Sequence, residues 1–113
     1  MSQAAAKKKA DRLFSRLVRE HGRCEHCGSL GTSVQLQCAH WISRRYSHTR
    51  TDLANAFCLC AACHRWFTDH PTEFGRWAIG RRGEDTYQRL LRQSQDRSKF
   101  DWTVEVARLE ALS

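Results

Sequence analysis

Two Cys-x-x-Cys pairs, Cys24-Glu25-His26-Cys27 and Cys60-Ala61-Ala62-Cys63, constrain this chain more than any other feature. Four thiolates at that spacing can close a tetrahedral zinc site, which draws residues distant in sequence together and fixes whatever lies between them. Disulfides are the competing use of paired cysteines, and the choice turns on the redox compartment. The first ten residues are small and Lys-rich with no apolar signal-peptide core, and no run reaches membrane-spanning length. A cytoplasmic, reducing setting without membrane contact is therefore expected, and in it the pairs read as ligands Cys24, Cys27, Cys60 and Cys63 of a structural Zn2+.

With 113 residues and 41% hydrophobic content, the chain is long enough for one domain with a modest core, to which a metal staple would add stability. Nineteen Lys and Arg against twelve Asp and Glu leave a net charge of +7, which suits a polyanionic partner such as DNA or RNA.

Three parts of that domain can be distinguished. In residues 1–22, Ala10, Leu13, Phe14, Leu17, Val18 and His21 recur at helical spacing up to Gly22, which predicts a helix packed on the metal-bound domain. Lys7, Lys8 and Lys9 ahead of it are expected to act as a basic arm on DNA. In residues 23–70, Val34 to His40 alternates with period two and predicts a strand with Val34, Leu36, Cys38 and His40 on one face. Trp41 to Asp52, carrying Arg44, Arg45, His48 and Arg50, reads as a basic loop placed to meet phosphates. Asn55 to Cys60 predicts a second strand and Ala61 to Asp69 a helix, so this stretch is a ββα unit. Residues 71–113 read as a helical tail: Phe74, Trp77 and Ala78 before Gly80, entered at Pro71; Tyr87, Leu90 and Leu91 after Gly83; then Trp102, Val106 and Leu109.

The order Cys24–Cys27, Cys38-Ala39-His40, Asn55 to Cys60, Cys63-His64 resembles the HNH nuclease pattern, in which a histidine ends the first strand, an asparagine opens the second and another histidine lies on the helix. The wider segment, with Ala39-His-Trp-Ile-Ser-Arg44, Thr49-Arg-Thr-Asp-Leu-Ala-Asn55 and a basic tail containing Gly83, is similar to phage recombination proteins of the NinG type. The resemblance implies an α+β fold: a small ββα-metal core with a four-cysteine zinc site, flanked by an N-terminal helix and C-terminal helices. It also implies a metal-dependent DNA endonuclease in a bacterial or phage-infected cell, with branched or recombination DNA among its substrates.

Phosphodiester hydrolysis needs an activated water and stabilisation of charge on the phosphate and the departing oxygen. The resemblance implies His40 as general base, Asn55 as the group that orients its ring or helps hold the metal, and His64 as a ligand of a catalytic Mg2+ or Mn2+. Arg44, Arg45, Arg50 and Arg65 flank these residues and are expected on phosphates. One position departs from the pattern: many HNH sites carry an acidic or histidine ligand immediately before the catalytic histidine, and this chain has Ala39. Cys38, Asp52, Asp69 and His70 are the substitutes at hand, Cys38 being too soft for Mg2+. Ala39 keeps a second reading open, a zinc-ribbon module that binds nucleic acid without cleaving it. A third, a structural zinc protein bridging partners, leaves His40, Asn55 and His64 unexplained. One ββα site serves one strand at a time, so cutting both calls for a homodimer or successive nicks. Cys38 and Cys58 read as small buried hydrophobes, His21 and His26 as structural, and Trp77 and Trp102 as core.

Overall fold

Ser2 starts the first helix, its hydroxyl accepting the Ala5 N–H at 3.1 Å, and the Ala/Lys-rich stretch that follows has high helix propensity. In this computed structural model, which describes residues 1–113, α1 runs Gln3–Arg19 and so includes Lys7–Lys9. That places the run inside the helix rather than ahead of it. Lys9 pairs with Glu110 at 3.3 Å and the Lys7 ammonium lies 5.8 Å from the Trp102 ring centroid, which leaves Lys8 as the fully exposed member of the run.

The apolar stripe of α1 (Ala6, Ala10, Leu13, Phe14, Val18) buries itself on α6 (Trp102–Leu112), which contributes Trp102, Val106 and Leu109. Asp101 caps α6 by accepting the Thr103 and Val104 N–H groups, and Gln3 donates to the same carboxylate, so the chain's two ends are tied together.

Strands β1 (Leu36–His40) and β2 (Ala56–Cys60) pair antiparallel, with Cys38 opposite Cys58, Ala39 opposite Phe57 and His40 opposite Ala56. Side chains alternate across a strand and directly opposed residues share a face. One face, with Leu36, Cys38, Ala56 and Cys58, packs on the α1–α6 core. The other, with Ala39, Phe57 and Leu59, packs on Phe67 of α3 (Ala61–Asp69) and Ala78 of α4 (Pro71–Arg82). The sheet is thus sandwiched, which is why all five residues of β2 are buried and its sequence lacks alternation.

Asn55 ends a 3-10 turn over Leu53–Asn55 instead of opening the strand, and the loop before it contains a short helix, α2 (Ser47–Arg50). Pro71 occupies the first turn of α4 as expected, but that helix continues through Gly80 and stops at Gly83, whose φ of +92° suits a residue without a Cβ. Helix α5 (Glu84–Ser94) follows directly. No helix is long and apolar enough to cross a membrane. The α+β order is as expected: N-terminal helix, hairpin and helix bearing the cysteines, then C-terminal helices.

Candidate metal centre and histidine pocket

The two cysteine pairs converge from separate turns. Gly28, at φ +80°, lets the first knuckle close with its N–H on Cys24 C=O at 2.9 Å. Glu25 then fastens that knuckle to the sheet: its carboxylate accepts the Cys58 N–H at 2.6 Å and holds Arg81 at 2.7 Å. The second pair sits where β2 becomes α3, with Cys60 as the helix N-cap and the Cys63 N–H 3.4 Å from Cys60 Sγ.

All four sulfurs lie within 4.8 Å of one another, and Cys27 Sγ to Cys60 Sγ is 3.8 Å. Zinc–thiolate bonds of about 2.3 Å in a tetrahedron give sulfur–sulfur edges of about 3.8 Å, so spacing and donor chemistry both fit. Burial and the crowding of Cys60, Cys24 and Cys27 push the Cys63 thiol up, while hydrogen bonding from Ser29 pulls Cys27 down to about 6. Four thiols this close cannot all ionise without a cation to hold them. This is a four-cysteine metal site. His26 Nδ1 lies 3.2 Å from Cys63 Sγ and supports the cluster from outside. No other three His, Cys, Asp or Glu side chains are gathered closely enough to hold an ion.

His40 occupies the opposite side of the sheet. Its ring packs 5.5 Å from Phe14, and its Nε2–H donates to the Arg50 carbonyl at 2.8 Å. That bond sets the tautomer, leaving Nδ1 as the acceptor on a neutral ring. The ring borders a cavity of about 160 Å³ with Asp11, Phe14, Ser15, Cys38 and Arg44. Burial pushes His40 below its ordinary value, overcoming the pull of the Arg50 carbonyl; Arg44 and Arg50 add to the lowering and Asp11 opposes it. Cys38 is pushed up to about 12 by burial and so remains a thiol, neither a thiolate ligand nor a nucleophile.

Asn55 is fully buried, but its amide does not reach the His40 ring. Oδ1 accepts the Ile42 N–H at 2.7 Å, and Nδ2 donates to the carbonyls of Ile42 and Thr49, each at 3.0 Å. Asn55 therefore clamps the loop that presents the Arg50 carbonyl, and acts on His40 at one remove. Arg50 is likewise engaged within the protein: its guanidinium forks onto both Asp11 oxygens at 2.8 Å and also donates to the Arg44 carbonyl at 2.7 Å. Burial works against the Asp11 carboxylate, yet Arg50 and Arg44 hold it below the usual range. Arg44, Arg45 and Arg65 are exposed, Arg44 with an ion pair to Asp11 at 3.5 Å.

His64 lies on the α3 side of the sheet, where its Nδ1 meets Gln37 Oε1 at 2.8 Å. Gln37 and Ala39 share that face, whereas His40 shares the other with Cys38, so the structure does not gather His40, Asn55 and His64 around one point. Comparison with known proteins finds no family model, curated protein or solved structure that matches the chain. The site's chemistry is accordingly read from its own geometry.

Asp11 is the residue sequence reasoning missed. The signal was available: Asp11, Phe14 and Ser15 are spaced i, i+3, i+4, so a carboxylate and a hydroxyl flank the helix stripe that meets β1. What could not be read was which strand residue that stripe would face.

Proposed function

We propose that the protein is a zinc-stapled DNA endonuclease of the HNH type in which His40 is the general base. The observation that carries this reading is the arrangement of the His40 ring: one nitrogen fixed on the Arg50 carbonyl, the other free, in a cavity beside exposed Arg44. Nδ1 would take the proton of a water attacking phosphorus while the bond to the departing sugar oxygen breaks and that oxygen takes a proton from solvent; Asp11 would stabilise the resulting imidazolium, and Arg44 would face the phosphate. The net charge of +7 favours the polyanion and predicts affinity that falls steeply with salt as counterions are released. Zinc in the four-cysteine site would fold the ββα unit; four thiolates leave it no open position for chemistry.

The residues present do not form a cage for Mg2+ or Mn2+. His64, the ligand the resemblance implies, is across the sheet from His40, and both Asp11 oxygens are held by arginine. That observation favours the second reading, a zinc module that binds nucleic acid without cutting it.

Nicking of supercoiled plasmid, measured with Mg2+ or Mn2+ and compared between wild type and His40→Ala, separates the two. Under the nuclease reading His40→Ala lowers the rate by roughly a hundredfold while zinc content is unchanged. Salt-sensitive DNA binding by a wild type that never nicks would transfer the conclusion to the binding module. Running linear duplex, single strand and four-way junction alongside identifies the preferred substrate, and scoring nicks against linear product shows whether one strand or both are cut.

A further inference from the structure

Helix α6 meets α1 through an apolar face, yet one of its buried residues is an acid. Glu105 is 7% exposed and stands beside Val106 and Leu109 of the core. Taking a carboxylate out of water is unfavourable unless its hydrogen bonds are replaced, so its partners show what it holds. Arg108, half exposed, donates to it from Nε at 2.6 Å and from Nη2 at 2.7 Å. The Thr51 hydroxyl donates to the same oxygen as Nη2, and Nη2 also donates to the Thr51 carbonyl at 3.0 Å. Thr51, itself buried, is thus gripped by hydroxyl and carbonyl from a helical residue 54 positions away.

Thr51 matters because of the peptide that precedes it. The Arg50 carbonyl, which accepts the His40 Nε2–H at 2.8 Å, shares one planar unit with the Thr51 N–H, so its direction follows from where Arg50 and Thr51 are held. The Arg50 end is anchored from α1, where its guanidinium forks onto Asp11. The Thr51 end is anchored from α6 by Glu105 and Arg108. Buried ion pairs are often matched in stability by apolar residues, so a fixed geometry is what this pair supplies that packing cannot. Helix α6 lies outside the segment that carries the HNH resemblance, which therefore assigns it no part in the site.

We propose that Glu105 and Thr51 are positioning residues for His40: the α6 carboxylate, through the Thr51 hydroxyl, orients the Arg50 carbonyl that keeps the ring in its Nε2–H tautomer with Nδ1 open. The catalytic consequence rests on the nuclease reading; the positioning of the ring does not.

The test reads the ring directly. Long-range proton–nitrogen correlation spectra of the zinc-loaded full chain show which imidazole nitrogen carries the proton, the His40 signals being assigned by their loss in His40→Ala. They are recorded above the His40 titration range for wild type, Thr51→Val, Thr51→Ser and Glu105→Met, the last similar in volume to Glu and leaving Arg108 free to turn to water. Val106→Ala, which removes core packing beside Glu105 but none of its hydrogen bonds, controls for general loosening. Wild type should show the Nε2–H tautomer alone, as should Thr51→Ser and Val106→Ala. Thr51→Val and Glu105→Met should mix the two tautomers and lower the plasmid-nicking plateau at least about tenfold, because a hydrogen bond to the imidazolium formed in the transition state is lost. Since the Arg50 carbonyl favours the protonated ring, both should also move the acid limb of the rate to lower pH. A wild type already mixed, a single Nε2–H tautomer in both Thr51→Val and Glu105→Met, or an equal mixture in Val106→Ala overturns the inference. If Glu105→Met does not fold, Thr51→Val decides. Wild type that never nicks overturns the nuclease reading, and the tautomer measurement still decides the positioning.

Discussion

Replacing Asn55 by alanine tests whether that residue is chemical or architectural. Its side chain is fully buried and satisfies three backbone groups, the N–H and C=O of Ile42 and the C=O of Thr49, at 2.7 to 3.0 Å. Alanine leaves the Ile42 N–H and C=O without a partner in a place that water reaches poorly, and the Thr49 carbonyl with the Asp52 N–H at 3.3 Å. Each unsatisfied buried group costs about 1–3 kcal/mol, and the two carbonyls can recover part of this by small shifts, so a loss of about 3 kcal/mol is expected. For a domain of this size that lowers the melting midpoint by roughly 10–15 °C. Asn55→Asp should be no milder, since a carboxylate keeps the bond from Ile42 N–H but turns an oxygen toward two carbonyls.

The assay is thermal and urea unfolding of the zinc-loaded protein, with plasmid nicking measured well below both midpoints. Because the clamped loop carries the carbonyl that fixes His40, Asn55→Ala should lose nicking rate and stability together. A midpoint within about 3 °C of wild type, combined with abolished nicking, would refute the clamp and return Asn55 to a direct role in the chemistry.

Two further outcomes follow from the same geometry. Chelating the metal should melt the ββα unit at room temperature, because structural zinc contributes on the order of 10 kcal/mol and the whole domain is stabilised by about 5–15 kcal/mol; circular dichroism followed against a zinc-release dye checks this, and an unchanged spectrum after complete release would contradict it. His40 has a folded pKa below its ordinary value of about 6.5, with Asp11, Arg44, Arg50 and Cys38 facing it, so the unfolded chain takes up its proton first on acidification. The stability this contributes is complete above about pH 6.5 and is lost as pH falls through the folded value, and His64, also lowered by burial, adds to the same limb. Unfolding free energies and nicking rates should share an acid limb below about 6.5; His40→Ala should shrink the stability limb, and a limb of undiminished size would assign it to His64 or another group.

The ββα order was legible because its signals are local. Alternation marked β1, the i, i+3, i+4 stripe marked α1, and the paired cysteines required their two turns to meet. What escaped was the orientation of one element against another. Ser2 lies outside the apolar stripe, so the Ala-rich start of α1 and the helical state of Lys7–Lys9 went unseen. Gly80 looked like a stop, but a helical glycine costs only about 1 kcal/mol, and the helix continues to Gly83, where positive φ is required. His40 and His64 each sit at the chain position the HNH resemblance implies, yet motif order carries no information about which sheet face a side chain takes. Period two supplies it once the packing is known: Leu36, Cys38 and His40 go to α1, Gln37 and Ala39 to α3.

The same alternation shows that Ala39 is more than a missing ligand. It is fully buried in the cluster of Phe57, Leu59, Phe67 and Ala78, and the directly opposed Phe57 carries the Arg82 guanidinium 4.0 Å above its ring. A carboxylate at position 39 would have to lose its hydration among aromatic rings, which is unfavourable unless a cation and hydrogen bonds replace the water. Arg82 is already held by Glu25 and by the carbonyls of Leu53 and Ala54. The space between hairpin and helix, where an acidic ligand would act beside His64, is filled by packing that stabilises the sheet. The polar cavity lies on the other face instead, built by Asp11, Arg44 and Arg50 around His40. Under the proposed function, chemistry on a phosphodiester is therefore to be sought between β1 and α1, with the four-cysteine centre on the far side of the sheet holding the fold.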